Sequence, residues 1–489
     1  MRGVKPTPFF EASGGSLASR RLLLVSPLFP PDQQVGALRW QKIARYAAER
    51  GWELDVITIH PDFVDSPDWS RLAELPPGTR LFGVRAPVVP LAQMVEAAWK
   101  WLRRTLPKAR ARGDESVDRQ ARPRGRKRPN SIARGEITWS FTEPRAYVRA
   151  YNSWFLYAEL KRLARDAYLL ARDVVTTEMH DAIISSGPPH AAHEAARLLA
   201  RQTGLPFVMD MRDLWSLAQR CSEPCASPLL FHLGRRYERR AVDLASLVVV
   251  NTEGACSAMA RTYPEARGRI ITVMNGFDDE PLPRTQHGDR FVVAYAGTIY
   301  LDRDPGCLFR AARQVIDELH LSPSQFAIEF IGAYEWNVPL TEIADAEGIA
   351  AFVRIGPPRP RAAALDFLAQ AAMLVILPQD MDVAIPAKLF EYVRFDAWLL
   401  AFAERGSATE MVLRDTAADV VTSTDTGALV EVMRKRYQQY IAGTRPRAIA
   451  GDARLSRRFQ AGVLLDALEG CIRPPATPSP SFASVREDH

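Results

Sequence analysis

The sequence predicts an α/β protein made of two doubly wound domains, each an open parallel sheet with helices on both faces. Three observations carry this. Short apolar runs closed by turn residues recur along the chain. Helical patterns separate most of them, as in repeated βαβ units. A stretch at 278–290 with Pro281, Pro283 and Gly288 divides the series in two, as a domain boundary should.

The first run is RLLLVS at 21–26, closed by Pro27. A continuous apolar run of this length suits a strand buried on both faces of a parallel sheet. A proline-bearing loop leads to Gly36, then a helical pattern covers 37–50, with Gly51 placed as its C-cap. ELDVITI at 53–59 is the next strand and completes a βαβ unit. Further strands are expected at 181–185, 206–211, 244–250 and 270–274, with a helix at 190–204. A second series opens with FVVAYA at 291–296 and continues at 327–331, 352–355, 373–377 and 398–402. The expected organisation is an N-terminal extension (1–20), a first domain (21–280), a second domain (288–450), a helix at 451–472 returning to the first domain, and a disordered tail (473–489) rich in Pro and Ser.

One segment, about 91–139, breaks the pattern. It opens with a helical pattern over 91–106, carrying Trp99 and Trp101 beside Lys100, Arg103 and Arg104. Between 105 and 135 ten Lys/Arg stand against three Asp/Glu, which reads as a mobile basic insert. The helix with its cationic flank suits peripheral contact with an anionic membrane surface, or simple packing on the domain. No recognition fold accompanies the basic run, so nucleic acid is a poor partner.

The chain has 489 residues, 47% of them apolar and 25% charged, with a formal net charge of +6. This allows a sizeable core in each half and favours an anionic ligand or surface. Five scattered cysteines argue against a disulfide scaffold and for a reducing compartment. Cys221 and Cys225 lack a second Cys/His pair at metal-site spacing, so no metal is expected. The first residues lack the order of a signal peptide, and no run approaches the ~20 apolar residues of a spanning helix. A cytoplasmic location is expected, with contact at the inner face of a membrane as the variant.

The segment richest in chemistry is IPAKLFEY at 385–392, after the strand MLVIL and the loop PQDMDVA. A loop entering a helix at the carboxyl end of a parallel strand is the usual ligand position in such sheets. Lys388 stands in the first turn as a point charge for phosphate, and Glu391, three residues on, shares its helix face. A carboxylate there can accept two hydrogen bonds from a ribose diol. Lys and Glu so spaced suit a nucleotide diphosphate; the alternative is a solvated surface ion pair.

IPAKLFEY followed by WLLAFAERGSATE resembles the donor-site segment of the GT-B glycosyltransferases, specifically the large retaining family 4. Other segments resemble that family in order: SPLFPPDQQVGALRWQKIARYAAERGWELDVIT, SSGPPHAAHEAARLLARQTGLPFVMDMRDLW, VVVNTEGACSAMARTYP with ITVMNGFDDE, and FVVAYAGTIYLDRDP. The match covers about 21–410 apart from the basic insert. The resemblance implies two Rossmann-like domains facing across a cleft. The second domain would hold the donor, with Glu391 on the ribose, Lys388 on the diphosphate, and Gly297 and Thr298 admitting the phosphates. Ile385, Pro386 and Leu389 belong to the same donor segment. Gly36 would act similarly in the first domain, and His190 would lie near the donor sugar, although it also reads as a loop histidine without a role. Arg39 belongs to the first matching segment on the acceptor side. Asp210, Arg212 and Asp213 would orient the acceptor or pair with one another. Asn275-Gly276 resembles the family's interdomain element or an ordinary turn.

Two departures stand out. Many family members carry a first glutamate eight positions before the second; here that position is Val383, with Asp380 or Asp382 as substitutes from the same loop. The usual basic residues after the first strand of the second domain are missing, with Arg303 the nearest replacement. The resemblance implies metal-independent sugar transfer from a nucleotide-diphosphate sugar to a hydroxyl of a glycan, lipid-linked sugar or small-molecule acceptor, with retention and no cofactor. The alternatives are a sugar-nucleotide 2-epimerase of the same fold, or a scaffold protein that has lost catalysis.

Overall fold

The computed structural model describes residues 6–14, 20–87, 131–133, 144–175, 179–217, 220–222, 227–299, 303–333, 339–377, 383–449 and 452–472. The helix expected at 91–106, most of the basic insert, Asp380, Asp382 and the tail lie outside these residues.

The first sheet contains β1 (Phe10–Glu11), β2 (Arg20–Val25), β3 (Trp52–Ile59), β4 (Arg80–Val84), β6 (Ala182–Gly187), β7 (Phe207–Met211), β9 (Leu247–Val250) and β10 (Ile270–Thr272). A separate antiparallel ribbon pairs β5 (Ser131–Ala133) with β8 (Arg220–Ser222). The order across the sheet is β1-β4-β3-β2-β6-β7-β9-β10, parallel except where β1 meets β4. The stretch read as an N-terminal extension therefore supplies an edge strand. The strand expected from 244 begins at Leu247, because Leu244 closes the helix before it.

The second sheet contains β11 (Phe291–Ala296), β12 (Phe326–Ile331), β13 (Val353–Gly356), β14 (Met373–Ile376), β15 (Trp398–Phe402) and β16 (Asp419–Val421). Its order is β13-β12-β11-β14-β15-β16, parallel throughout. The chain moves outward from β11 in one direction, then returns to β14 and moves outward in the other. This is the doubly wound, Rossmann-like arrangement, with its switch point between β11 and β14. In the first sheet the corresponding point lies between β2 and β6.

Alternation along the strands explains the continuous apolar runs. In β2, Leu23 and Val25 join one core, while Leu22 and Leu24 join another on the opposite face. In β11, Val293 and Tyr295 face one core and Ala294 the other.

The helices of the first domain are α1 (Val35–Glu49), α2 (Pro144–Val174), α3 (Ala191–Thr203), α4 (Pro228–Leu244) and α5 (Glu253–Thr262). The second domain adds α6 (Gly306–Leu319), α7 (Leu340–Ala346), α8 (Arg361–Ala369), α9 (Ala387–Tyr392), α10 (Ala408–Leu413) and α11 (Thr426–Ile441). The last helix, α12 (Arg457–Ile472), buries Leu464, Leu465 and Leu468 against Trp40, Ala44 and Ala47 of α1. The chain thus crosses back to the first domain after completing the second. Among the described residues no helix is long and apolar enough to cross a membrane.

Candidate active site at the carboxyl edges of the two sheets

Ligands of doubly wound sheets bind outside the carboxyl ends of the strands at the switch point. In the second domain that crevice is formed by Gly297 and Thr298, which leave β11, and by the segment from 383 to α9, which follows β14. Gly297 has φ +120°, a conformation that favours glycine. Its open face is filled by the Lys388 side chain: a Cβ there would meet Lys388 Cε at 2.5 Å and Nζ at 2.7 Å.

Lys388 Nζ donates to the Tyr295 hydroxyl at 3.1 Å and lies 4.8 Å from the centre of its ring. Arg303 Nη1 donates to the same hydroxyl and to Thr298 O, both at 3.3 Å. The Tyr295 hydroxyl in turn donates to Thr298 O at 3.0 Å. One phenol thus gathers two cations beside a glycine, a geometry suited to a diphosphate. Burial pushes the Lys388 ammonium down to about 8, and the Arg303 charge adds to that, against the opposing pull of Glu391.

The α9 segment is pinned from below. Ile385 and Leu389 are buried in the core of the second domain, and Pro386 precedes the helix. Ile385 and Leu389, read as donor-binding, therefore hold the segment in place, because their side chains point into the protein. The Tyr392 hydroxyl accepts from Ala296 N at 2.8 Å and locks α9 to the end of β11. Glu391 does not pair with Lys388; its Oε1 lies 2.9 Å from Arg361 Nη1 on α8. Arg361 is largely exposed, so water and ions screen this contact and a ligand can replace it. Arg361 also lies 3.8 Å from Glu280 in the linker, and Glu280 pairs with Lys42 of α1.

In the first domain, β6 ends at Gly187 and the chain turns through Pro188, Pro189 and His190 into α3. The His190 ring stacks on Trp215 at 5.0 Å and 14°. The adjacent His193 shares a hydrogen bond of 2.7 Å between Nδ1 and Ser185 Oγ. Burial pushes both imidazoles down, His193 to about 3, and Arg212 adds to the effect. His190 is therefore a neutral ring at physiological pH. Trp215 is set by its neighbour Ser216, whose backbone N and Oγ donate to buried Glu238, which also accepts from the Tyr263 hydroxyl.

The charged residues read as acceptor-side divide. Asp210 is fully buried and accepts from Arg39 Nε at 3.1 Å and Nη2 at 3.0 Å, from Trp40 Nε1 at 2.8 Å, and from Ser186 Oγ at 3.1 Å. Arg39 is buried too and also donates to Val273 O at 3.0 Å. Both are removed from the acceptor-contact set, because every charged atom is engaged inside the protein. Arg212 donates to Pro188 O, and its guanidinium covers Gly36, whose lack of a side chain makes that approach possible. Asp213 is exposed.

Val383 stands at the position where the resemblance leads to the expectation of a first glutamate. Its carbonyl accepts from Thr252 Oγ1 at 2.6 Å, and its side chain packs on the first domain's core. Thr252 follows β9 and Val383 follows β14, so this contact brings the carboxyl edges of the two sheets together. Tyr295, Trp215 and Arg361 were not singled out from sequence. Among the described residues no group of three or more His, Cys, Asp or Glu could hold a metal ion.

Residues 119–276 match the glycosyl transferase 4-like domain. A D-inositol 3-phosphate glycosyltransferase of Catenulispora acidiphila is 28% identical over 211 residues, 39% of this chain and 49% of that protein. One from Thermobifida fusca is 25% identical over 207 residues, 38% of this chain and 45% of that protein. The chain thus matches about half the length of these curated relatives. A sucrose-phosphate synthase from Thermosynechococcus elongatus superposes with a TM-score of 0.56 at 12% identity, covering 92% of this chain and 99% of that one. Residues 119–276 are thus similar to the glycosyl transferase 4-like domain, and the paired doubly wound sheets give the chain the fold of that sucrose-phosphate synthase.

Proposed function

We propose that the protein is a glycosyltransferase that moves a sugar from a nucleotide-diphosphate sugar to a hydroxyl of a glycan, lipid-linked sugar or small-molecule acceptor, with retention and without a metal. The observation that carries this reading is the pair of cations, Lys388 and Arg303, gathered on Tyr295 beside Gly297 at the switch point. Breaking a sugar–phosphate bond builds negative charge on the departing diphosphate. Cations already in place stabilise that charge without reorganising. Glu391 would exchange Arg361 for the ribose hydroxyls. His190, neutral and held flat on Trp215, would face the transferred sugar from the first domain. Closure of the cleft would expel water and suppress hydrolysis. The excess of cations at 105–135 would favour an acceptor carried near a membrane.

The test is turnover of a panel of nucleotide-diphosphate sugars, with and without glycan, lipid-linked and small-molecule acceptors. Release of nucleoside diphosphate only with an acceptor, and a product that keeps the donor's anomeric configuration by NMR, supports the reading. Epimerised or hydrolysed donor without an acceptor contradicts it.

The Lys388 ammonium yields a pH prediction. It is charged below its free-protein value of about 8 and neutral above it. A diphosphate favours the charged form, so it raises that value in the complex. Affinity for a nucleoside diphosphate is therefore full below pH 8 and falls as pH rises through 8, by up to about tenfold per pH unit. Titration calorimetry between neutral and alkaline pH measures this. Lys388→Arg, always charged, should flatten the fall, and Tyr295→Phe should weaken binding by about tenfold through loss of the gathering hydroxyl.

A further inference from the structure

Helix α2 is far longer than the strand it feeds. Its 31 residues span about 46 Å at the α-helical rise, whereas β6 has 6 residues. The contacts of α2 with the apolar core begin at Leu160 and run through Leu163, Ala164, Ala167 and Ala171. As α2 runs down into β6, its first turns stand at the carboxyl edge of the sheet, the edge that carries His190.

Those turns present an aromatic row to solvent. Tyr147, Tyr151 and Trp154 are 63%, 54% and 58% exposed, at i, i+4 and i+7 spacing on one helix face. Further along the helix the exposed residues include the cations Lys161 and Arg165. The hydroxyls of Tyr157 and Tyr237 lie 3.2 Å apart and hold α4 alongside. There Arg235, Arg236, Arg239 and Arg240 are exposed, while Glu238 between them is buried.

We propose that this face of α2 and α4, with Tyr147, Tyr151 and Trp154 as its anchors and Arg236 and Arg240 as its cations, seats the protein on an anionic lipid bilayer. Tyr and Trp carry an apolar ring with a polar tip and settle at headgroup level. Neighbouring arginines add attraction to anionic lipid. The seat places the rim of the first domain's cleft toward the lipid, and it stands or falls independently of the sugar-transfer reading.

The test is co-sedimentation of the full chain with phosphatidylcholine vesicles, with and without phosphatidylglycerol. The protein should bind vesicles containing phosphatidylglycerol, and binding should weaken with salt. Tyr147→Ser/Tyr151→Ser/Trp154→Ser should lower the bound fraction about tenfold while the melting temperature stays near that of the parent. Arg236→Gln/Arg240→Gln should remove part of the salt-sensitive binding, an independent check should the triple variant fold poorly. The proposal is overturned if the folded triple variant sediments like the parent, if the parent ignores phosphatidylglycerol, or if the aromatic substitutions instead abolish self-association or binding to an oligonucleotide.

Discussion

Lys388→Ala is expected to lower kcat/KM for the proposed sugar transfer by about 100- to 1000-fold, the usual loss when one preorganised charge-stabilising donor is removed. The side chain lies against Gly297, shares the Tyr295 hydroxyl with Arg303, and is already stripped of much of its water. A charge so placed interacts strongly with an arriving diphosphate, because little reorganisation remains to be done. The same desolvation makes the ammonium costly in the empty protein. Lys388→Ala should therefore leave the melting temperature unchanged or raised while activity collapses. Lys388→Arg should retain more activity than the alanine variant. Steady-state kinetics beside thermal melts separate the two effects. A variant with normal kinetics would remove the residue from the site.

Asp210→Ala carries the largest expected effect on stability, a loss of about 3–5 kcal/mol, the range for removing one partner of a buried ion pair. Its carboxylate is the common acceptor for Arg39, Trp40 and Ser186, which come from α1 and β6, and Arg39 continues to the carbonyl of Val273. Without the carboxylate, Arg39 is left as a buried charge, and the Trp40 indole and Ser186 hydroxyl lose their acceptor. Asp210→Asn, which keeps an acceptor oxygen, should cost less. Denaturant unfolding measures both. Losses in activity without loss of stability would instead return Asp210 to the acceptor side of the cleft.

The strands were legible because burial on both faces writes itself as an unbroken apolar run. FVVAYA at 291–296 and WLLAF at 398–402 occupy β11 and β15 residue for residue. β4 was passed over, since RLFGV is short and broken by Gly83, and β16 has only three residues. Helix α2 was hidden for a different reason. Half of it lies beyond the core, so no apolar period marks its start. In the site, Gly297 and Lys388 could be read from motif and position. Tyr295 could not, because its ring belongs to the strand's core pattern and only its hydroxyl reaches the crevice. Asp210 looked like a ligand because it is a charge near a strand end, and Arg39 because it belongs to a segment that resembles the family. Their partnership spans 171 positions and has no local signature.

The central claim is that a nucleoside diphosphate sits at the switch point of the second sheet, between β11 and β14. Hydrogen exchange with and without the nucleoside diphosphate that most raises the melting temperature tests it directly. The account predicts slowed exchange at 296–299 and 384–392, with Lys388→Ala abolishing it at matched ligand concentration. Slowed exchange confined to the first domain, or a ligand that stabilises the protein equally with Lys388 replaced, would contradict it.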